Sequence, residues 1–198
     1  MGISSLNTDQ LEESWQKSLE GDTEAFHRIH RELFQGLFNY SLKLLEDNAL
    51  AGDAVQELFI KIWIKRSSIG GLRNVKSYFF TALRRQILNQ LRNLRLRELK
   101  IGDIPQPDID FSPEEIVIRK EEYGSLQGRI VELLNELPQR QKEVIYLHYF
   151  ENMDYTQIAE VMGIRYQSVL NLTQKALQKL RSANLLTIFL LLLLEKTR

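Results

Sequence analysis

Residues 137–181 read LPQRQKEVIYLHYFENMDYTQIAEVMGIRYQSVLNLTQKALQKLR, and the spacing within this stretch decides its local fold. Pro138 stands where a helix can begin, because the N–H it lacks is one that a first turn leaves unpaired anyway. Val144, Ile145, Leu147 and Tyr149 follow, so part of that helix is expected to be buried. Asp154 or Thr156 can cap a short second helix over about Gln157–Met162. Gly163 permits a turn with positive φ, and a longer helix is expected from about Tyr166 to Arg181. The spacing of Ala159, Gly163, Ile164 and Val169 is that of a helix-turn-helix. The small Ala159 lets the next helix approach, while Ile158, Ile164 and Val169 lock the two helices across the glycine turn. An ordinary helical hairpin with a glycine turn is the plain alternative, but it does not need the small, glycine and aliphatic positions to agree.

A helix-turn-helix offers the first side chains of its last helix to base edges in the major groove. Arg165, Tyr166, Gln167, Ser168 and Asn171 occupy those positions, and the Gln and Asn amides match adenine. Lys175 and Lys179 can meet phosphates. The net charge of zero looks wrong for a DNA binder, but its distribution reverses that impression. Arg73–Lys100 holds eight Lys/Arg against Glu98 alone, whereas Ile101–Glu122 holds seven Asp/Glu against Arg119 and Lys120. From Val161 to Asn184 the only charges are Arg165, Lys175, Lys179 and Arg181. Two basic segments thus flank an acidic one, which allows two phosphate-facing surfaces, although charged helix faces are often only solvated.

With 43% apolar and 26% charged residues the chain has the composition of a folded globular protein. The long segments follow a helical period and strand-like alternation is scarce, so the expected fold is all-α. Pro105, Pro107 and Pro113 fall in the acidic stretch IGDIPQPDIDFSPEE, which should not hold a continuous helix. It separates two small helical domains: residues 10–97, an acidic linker over 98–125, a second domain over 126–184, and an apolar tail over 185–198. Ser112, Pro113 and Glu114 read as an N-cap, a first-turn proline and a first-turn acid, so a helix is expected to resume there.

In the first domain Gly21-Asp22 opens a helix with Phe26, Ile29, Leu33, Leu37 and Leu44 along one face. A second helix is expected to start at Asp53, with Val55, Leu58, Phe59, Ile62 and Trp63 in an i, i+3, i+4, i+7, i+8 stripe. That stripe leaves Asp53, Gln56, Glu57 and Lys61 elsewhere on the surface. A third helix, Val75 to Leu96, combines Tyr78, Phe79 and Phe80 with Arg84, Arg85 and Arg92. Since the three aromatic residues are consecutive, at least one or two must face inward.

In this order the segments resemble the extracytoplasmic-function (ECF) sigma factors over nearly the whole chain. Asp53-Ala54-Val55-Gln56-Glu57-Leu58-Phe59-Ile60-Lys61-Ile62-Trp63 is similar to region 2.2 of that family, and Gly21–Phe26 to region 2.1. The run Val75–Arg85 is similar to the helix that engages the melted −10 element. Leu137-Pro138, Arg140-Gln141 and the helix-turn-helix resemble region 4, which reads the −35 element. The resemblance implies a cytoplasmic, non-enzymatic promoter-recognition subunit whose partners are core RNA polymerase and promoter DNA, duplex at −35 and melted at −10. It assigns core docking to Asp53, Gln56, Glu57 and Lys61. It assigns −10 binding to Asn74, Lys76, Tyr78, Arg84, Arg85, Asn89 and Arg92, since aromatic faces with basic groups suit single-stranded DNA. It assigns −35 binding to Arg165, Tyr166, Gln167, Ser168, Asn171 and Lys175. A free-standing helix-turn-helix regulator with a dimerising N-terminal domain is the competing class. The basic, aromatic segment from Tyr78 to Arg92 argues against it, since a dimerisation domain needs neither feature.

Nothing points to catalysis or a cofactor. There is no cysteine, and His27, His30 and His148 have no third ligand indicated, so no metal site is expected. The N-terminus lacks the basic start and apolar core of a secretory signal. Leu170 and Leu172 stand where family recognition helices often carry basic residues. Fewer phosphate contacts predict weaker non-specific affinity and a shallower salt dependence. The tail from Leu185 to Leu194 would reach roughly 15 Å as a helix, against roughly 30 Å for a bilayer core, so it should not span a membrane. It has two readings: packing on its own region 4, or a docking surface for an inhibitory anti-sigma factor or a lid over the DNA-reading surfaces.

Overall fold

The computed structural model describes residues 8–97, 108–115, 124–185 and 189. Among these residues the regular structure is helical throughout, with eight α-helices. The chain forms two compact units, the first drawn almost entirely from residues before Gln106 and the second almost entirely from Gln106 onward.

The first unit packs α1 (Thr8–Leu19), α2 (Thr23–Leu45), α3 (Asn48–Ile69) and α4 (Val75–Arg97) around one core. Asp22 caps α2 as expected, its carboxylate accepting from the Ala25 N–H at 3.0 Å. The predicted stripe of Phe26, Ile29, Leu33, Leu37 and Leu44 is buried. The start of α3 differs from expectation. Asp47, not Asp53, is the cap and accepts from the Leu50 N–H at 2.8 Å. Gly52 is carried inside the helix, and burial of Ala51 and Ala54 beside it offsets the roughly 1 kcal/mol that an internal glycine costs. Asp53 therefore sits exposed in the second turn. Val55, Leu58, Phe59 and Ile62 are buried, and the half-buried Trp63 carries the Arg66 guanidinium 3.9 Å above its ring.

On α4, Phe79 and Phe80 are both fully buried while Tyr78 is half-exposed, so two of the three consecutive aromatics face inward. Phe79 meets Phe59 with ring centroids 5.3 Å apart and Trp15 edge-on at 6.3 Å. The sequence pattern alone marks no element over residues 8–19. Yet α1 supplies Trp15, fully buried, whose indole N–H donates to the Gly70 carbonyl at 2.9 Å.

The second unit holds α5 (Gly124–Asn135), α6 (Gln139–Ile145), the first part of α7 (Tyr155–Met162) and α8 (Tyr166–Ser182). Pro138 precedes α6, which runs into a five-residue π-helix, Tyr146–Phe150. Asp154 and Gln157 form a reciprocal cap at the start of α7: the Asp154 carboxylate accepts from the Gln157 N–H at 2.8 Å and the Gln157 amide oxygen from the Asp154 N–H at 2.9 Å. The helix thus begins two residues before the expected Gln157. Gly163 has φ +63, and an added Cβ would meet nothing within 4 Å. The whole cost of Gly163→Ala is therefore backbone strain, about 1–2 kcal/mol, to be read as a lower urea midpoint with an unchanged slope.

Residues 108–115 belong to the second unit. Pro113–Glu115 form one 3-10 turn where the sequence predicts a resuming helix, and residues 116–123 lie outside the described part. Leu185 and Phe189 are buried, and the Phe189 ring meets Tyr149 at 5.4 Å. These two side chains favour packing of the tail's start on its own unit; the rest of the tail lies outside the described residues. No described helix is long and apolar enough to cross a membrane.

Candidate functional site

Three outward surfaces carry the residues singled out by the sequence. The first is α8. Val169, Thr173, Ala176 and Leu180 bury one side of it. Arg165, Tyr166, Gln167, Asn171 and Lys175 stand exposed on the other, with Ser168 half-exposed. No side chain caps this helix. The Gln167 amide donates to the Asn171 side-chain oxygen at 3.2 Å, so the two amides point the same way one turn apart. Tyr166 packs edge-on to Tyr155 at 6.3 Å, and Tyr155 lies 4.7 Å from the His148 ring, whose Nδ1 is 2.8 Å from the Met153 carbonyl. Tyr155 thus props the start of α8, a role that no local feature of the sequence marks. Lys179 pairs with Glu136, its ammonium 2.8 Å from the carboxylate and 3.2 Å from the backbone carbonyl of that residue. Leu170 and Leu172 are half-buried rather than fully presented.

The second surface is α4. At 100° per residue, Asn74, Tyr78, Arg85, Asn89 and Arg92 fall within a narrow stripe. The structure does not bring Lys76 and Arg84 onto it. Lys76 lies on the other side of the helix, its ammonium 5.6 Å from the Phe80 ring centroid. Asn74 also serves the fold, since its side-chain oxygen accepts from the Ser77 N–H at 2.7 Å and caps α4. Burial raises the Tyr78 phenol above its ordinary pKa, with the nearby Arg85 charge opposing, so its hydroxyl is protonated at neutral pH.

The third surface is the outer side of α3, where Asp53, Gln56, Glu57 and Lys61 are all exposed. Glu57 and Lys61 pair at 2.7 Å, and the Gln86 amide of α4 donates to both Glu57 and the Ala54 carbonyl at 3.0 Å. Gln86 therefore fixes this polar row, which leaves Asp53 and Gln56 as its least engaged members. Beside them Ile60 is 59% exposed and Ile64 is 69% exposed, apolar residues that lie off the buried stripe. With Phe26 and His30 of α2, and Gln56 and Trp63 of α3, they line a groove of about 770 Å³. Burial in this groove holds the His30 imidazole below its ordinary pKa, and the charge of His27 acts in the same sense. Among the described residues no cluster of His, Asp and Glu could hold a metal ion.

These are the parts of a helical transcription factor with one unit built around a helix-turn-helix and another bearing a basic aromatic helix. Residues 29–97 match the family Sigma-70 region 2, and residues 127–180 match Sigma-70, region 4. The ECF RNA polymerase sigma factor SigL of Mycobacterium tuberculosis is 28% identical over 148 residues, 73% of this chain and 80% of that one. RNA polymerase sigma factor SigV of Bacillus subtilis is 29% identical over 136 residues, 69% of this chain and 75% of that one. Among solved structures, the sigma factor RpoE from Bartonella quintana, in complex with the anti-sigma factor NepR, has a TM-score of 0.57. It is 23% identical, with 81% of this chain and 96% of that one covered. CnrH, in complex with the cytosolic domain of CnrY, has a TM-score of 0.60 at 16% identity, covering 88% and 97%. These two likenesses speak for the fold. The chain belongs to the ECF family of RNA polymerase sigma factors. It binds core RNA polymerase and promoter DNA and directs transcription initiation.

Proposed function

We propose that each of the three surfaces has one role in initiation. The exposed start of α8 (Arg165, Tyr166, Gln167, Ser168, Asn171 and Lys175) reads the −35 element. The α4 stripe captures the melted −10 strand, with Tyr78 as its stacking platform and Arg85 and Arg92 as its phosphate contacts. The outer side of α3, Asp53, Gln56, Glu57 and Lys61, docks on core polymerase together with the apolar groove beside it. In this reading residues 10–97 are the region 2 domain, 98–125 the connection, 126–184 the region 4 domain and 185–198 an apolar tail. The protein acts in the cytoplasm and contributes binding energy alone, leaving nucleotide chemistry to polymerase. An anti-sigma factor, the kind of protein bound to RpoE of Bartonella quintana, is a further partner of this chain in the same reading.

The observation that carries the proposal is α8 itself: Val169 fully buried beneath a left-handed Gly163 turn, with the polar side chains standing outward. Run-off transcription with sigma-free core polymerase on genomic fragments tests it, with Gln56→Ala/Glu57→Ala run in parallel. Specific starts should require the protein, and the double variant should bind core about tenfold more weakly, which is about 1.4 kcal/mol. Specific starts with an unaffected variant would remove core docking from this face of α3. Failure of both core association and specific starts, with a core preparation that another sigma factor activates, would favour a free-standing regulator. Palindromic duplex binding without polymerase would then be its mark.

A further inference from the structure

Tyr166, the first residue of α8, is 50% exposed, a large ring left open to solvent in the second unit. Side chains of a helix lean toward its N-terminus, so a long residue at the first position overhangs that end. It is the end that a helix-turn-helix turns toward base edges. The ring does not hang there freely. Tyr155, the first residue of α7, packs against it at 69°, with ring centroids 6.3 Å apart. Tyr155 in turn lies 4.7 Å from the His148 ring. His148 Nδ1 is 2.8 Å from the Met153 carbonyl, and a carbonyl only accepts, so this nitrogen carries a proton and donates it. Met153 is 1% exposed, and its own N–H donates to the Leu147 carbonyl at 3.0 Å. The three rings therefore stand on the backbone that leaves the π-helix. The reciprocal cap of Asp154 and Gln157 fixes the backbone on either side of Tyr155.

Along α8, Tyr166 and Leu170 form one i, i+4 row, and Gln167 and Asn171 form the next. The first row is apolar, with Leu170 half-buried, and the second carries amides that match adenine. Among the groups that base pairs present in the major groove, the apolar one is the thymine 5-methyl. We propose that Tyr166, held in place by Tyr155, is a specificity-determining residue whose ring packs on the 5-methyl group of one thymine in the −35 element. This role rests on the assignment of α8 to that element proposed above. Tyr155 touches no DNA and is a positioning residue. Because the ring is placed before DNA arrives, it has less side-chain freedom to lose when the methyl group covers it. A hydroxyl reaching a phosphate is the other use for a tyrosine here, but it needs no fixed ring and carries no sequence preference.

The test uses holoenzyme made with the full chain and the −35 duplex it prefers, each thymine replaced in turn by deoxyuridine, which lacks only the 5-methyl. Wild type should lose about fourfold in affinity at one thymine, the worth of one buried carbon at about 0.8 kcal/mol. Tyr166→Ala should bind the thymine duplex more weakly and be indifferent to the replacement. Tyr166→Phe keeps the ring and should keep the methyl effect. Tyr155→Ala should largely abolish that effect, and Tyr155→Phe, which retains the ring contact, should restore it. A merely structural role for Tyr155 would weaken every duplex alike and leave the thymine-to-deoxyuridine ratio unmoved. That result overturns its positioning role. A wild type insensitive at every thymine, or an undiminished methyl effect in Tyr166→Ala, overturns the proposal. So does a Tyr166→Phe protein that loses affinity equally on all sequences, which would give the hydroxyl to a phosphate. If wild-type holoenzyme does not distinguish −35 sequences at all, it is the assignment of α8 that fails.

Discussion

Phe79→Ala should destabilise the first unit by about 3–5 kcal/mol, the usual cost of truncating a fully buried phenylalanine. Domains as a rule have only about 5–15 kcal/mol in hand, so this change alone brings the unit near unfolding. The neighbouring change should behave in the opposite way. Tyr78→Ala removes a half-exposed ring and should shift unfolding by no more than about 1 kcal/mol. It should instead weaken capture of a single-stranded −10 oligonucleotide by holoenzyme by about 1–3 kcal/mol, the worth of one stacked base. The contrast follows from helix geometry. Phe79 points at Phe59 and Trp15. Tyr78, 100° away, shares its stripe with Arg85, Asn89 and Arg92. Urea unfolding of the full chain separates the two units as two transitions if they fold independently, and Phe79→Ala should move only one. A Tyr78→Ala protein that unfolds early while binding −10 DNA normally would reverse the assignment of the two side chains.

The elements legible in the sequence are those where a period and a stop signal coincide. The α2 stripe behind Asp22, the α3 stripe and the Gly163 turn are all of this kind, and each is found at its expected place. Sequence and structure part where a signal has two readings. Asp53 looks like a helix start because an acidic residue suits capping and the positive end of a helix, but Asp47 caps the helix and Asp53 lies within it. Around Asp108–Phe111 the flanking prolines and the acids indicate a linker. Its alternation of apolar and acidic residues is a strand-like signal too short to stand alone, and its meaning depends on Lys142 and Asn135 far along the chain. Lys76 and Arg84 group with Tyr78 by proximity in sequence, whereas helix geometry sends them to other faces. Ile60 and Ile64 are detectable as apolar residues off the buried stripe. Gln86 is not, since nothing local marks a glutamine that bridges to the next helix.

On α8 the exposed side chains divide by chemistry, and so should their effects. Asn171→Ala should cost about 1–3 kcal/mol on the preferred −35 duplex and relax the preference at one base pair, because an amide reads adenine through two hydrogen bonds. Its partner Gln167 already holds it in the unbound helix at 3.2 Å, so part of the ordering precedes binding. Loss of Asn171 should therefore also loosen the readout by Gln167, and the double variant should cost less than the sum of the two single ones. Lys175→Ala should weaken all sequences alike and reduce the salt slope by about one. Lys179→Ala should leave that slope nearly unchanged, because Glu136 already occupies its ammonium. With Arg165 and Lys175 as the exposed cations at the start and middle of α8, the proposed reading has the helix neutralise about two phosphates, for an expected slope near −2. Anisotropy titrations of holoenzyme on −35 duplexes across a range of KCl would resolve the two classes. A sequence-independent loss in Asn171→Ala would remove base readout from this residue. A steep slope, near −6 or beyond, would mean that cations outside α8 carry most of the phosphate contact. A shallow slope would instead leave −35 affinity dependent on attachment to polymerase, with the amides supplying the choice of sequence and the enzyme supplying the proximity.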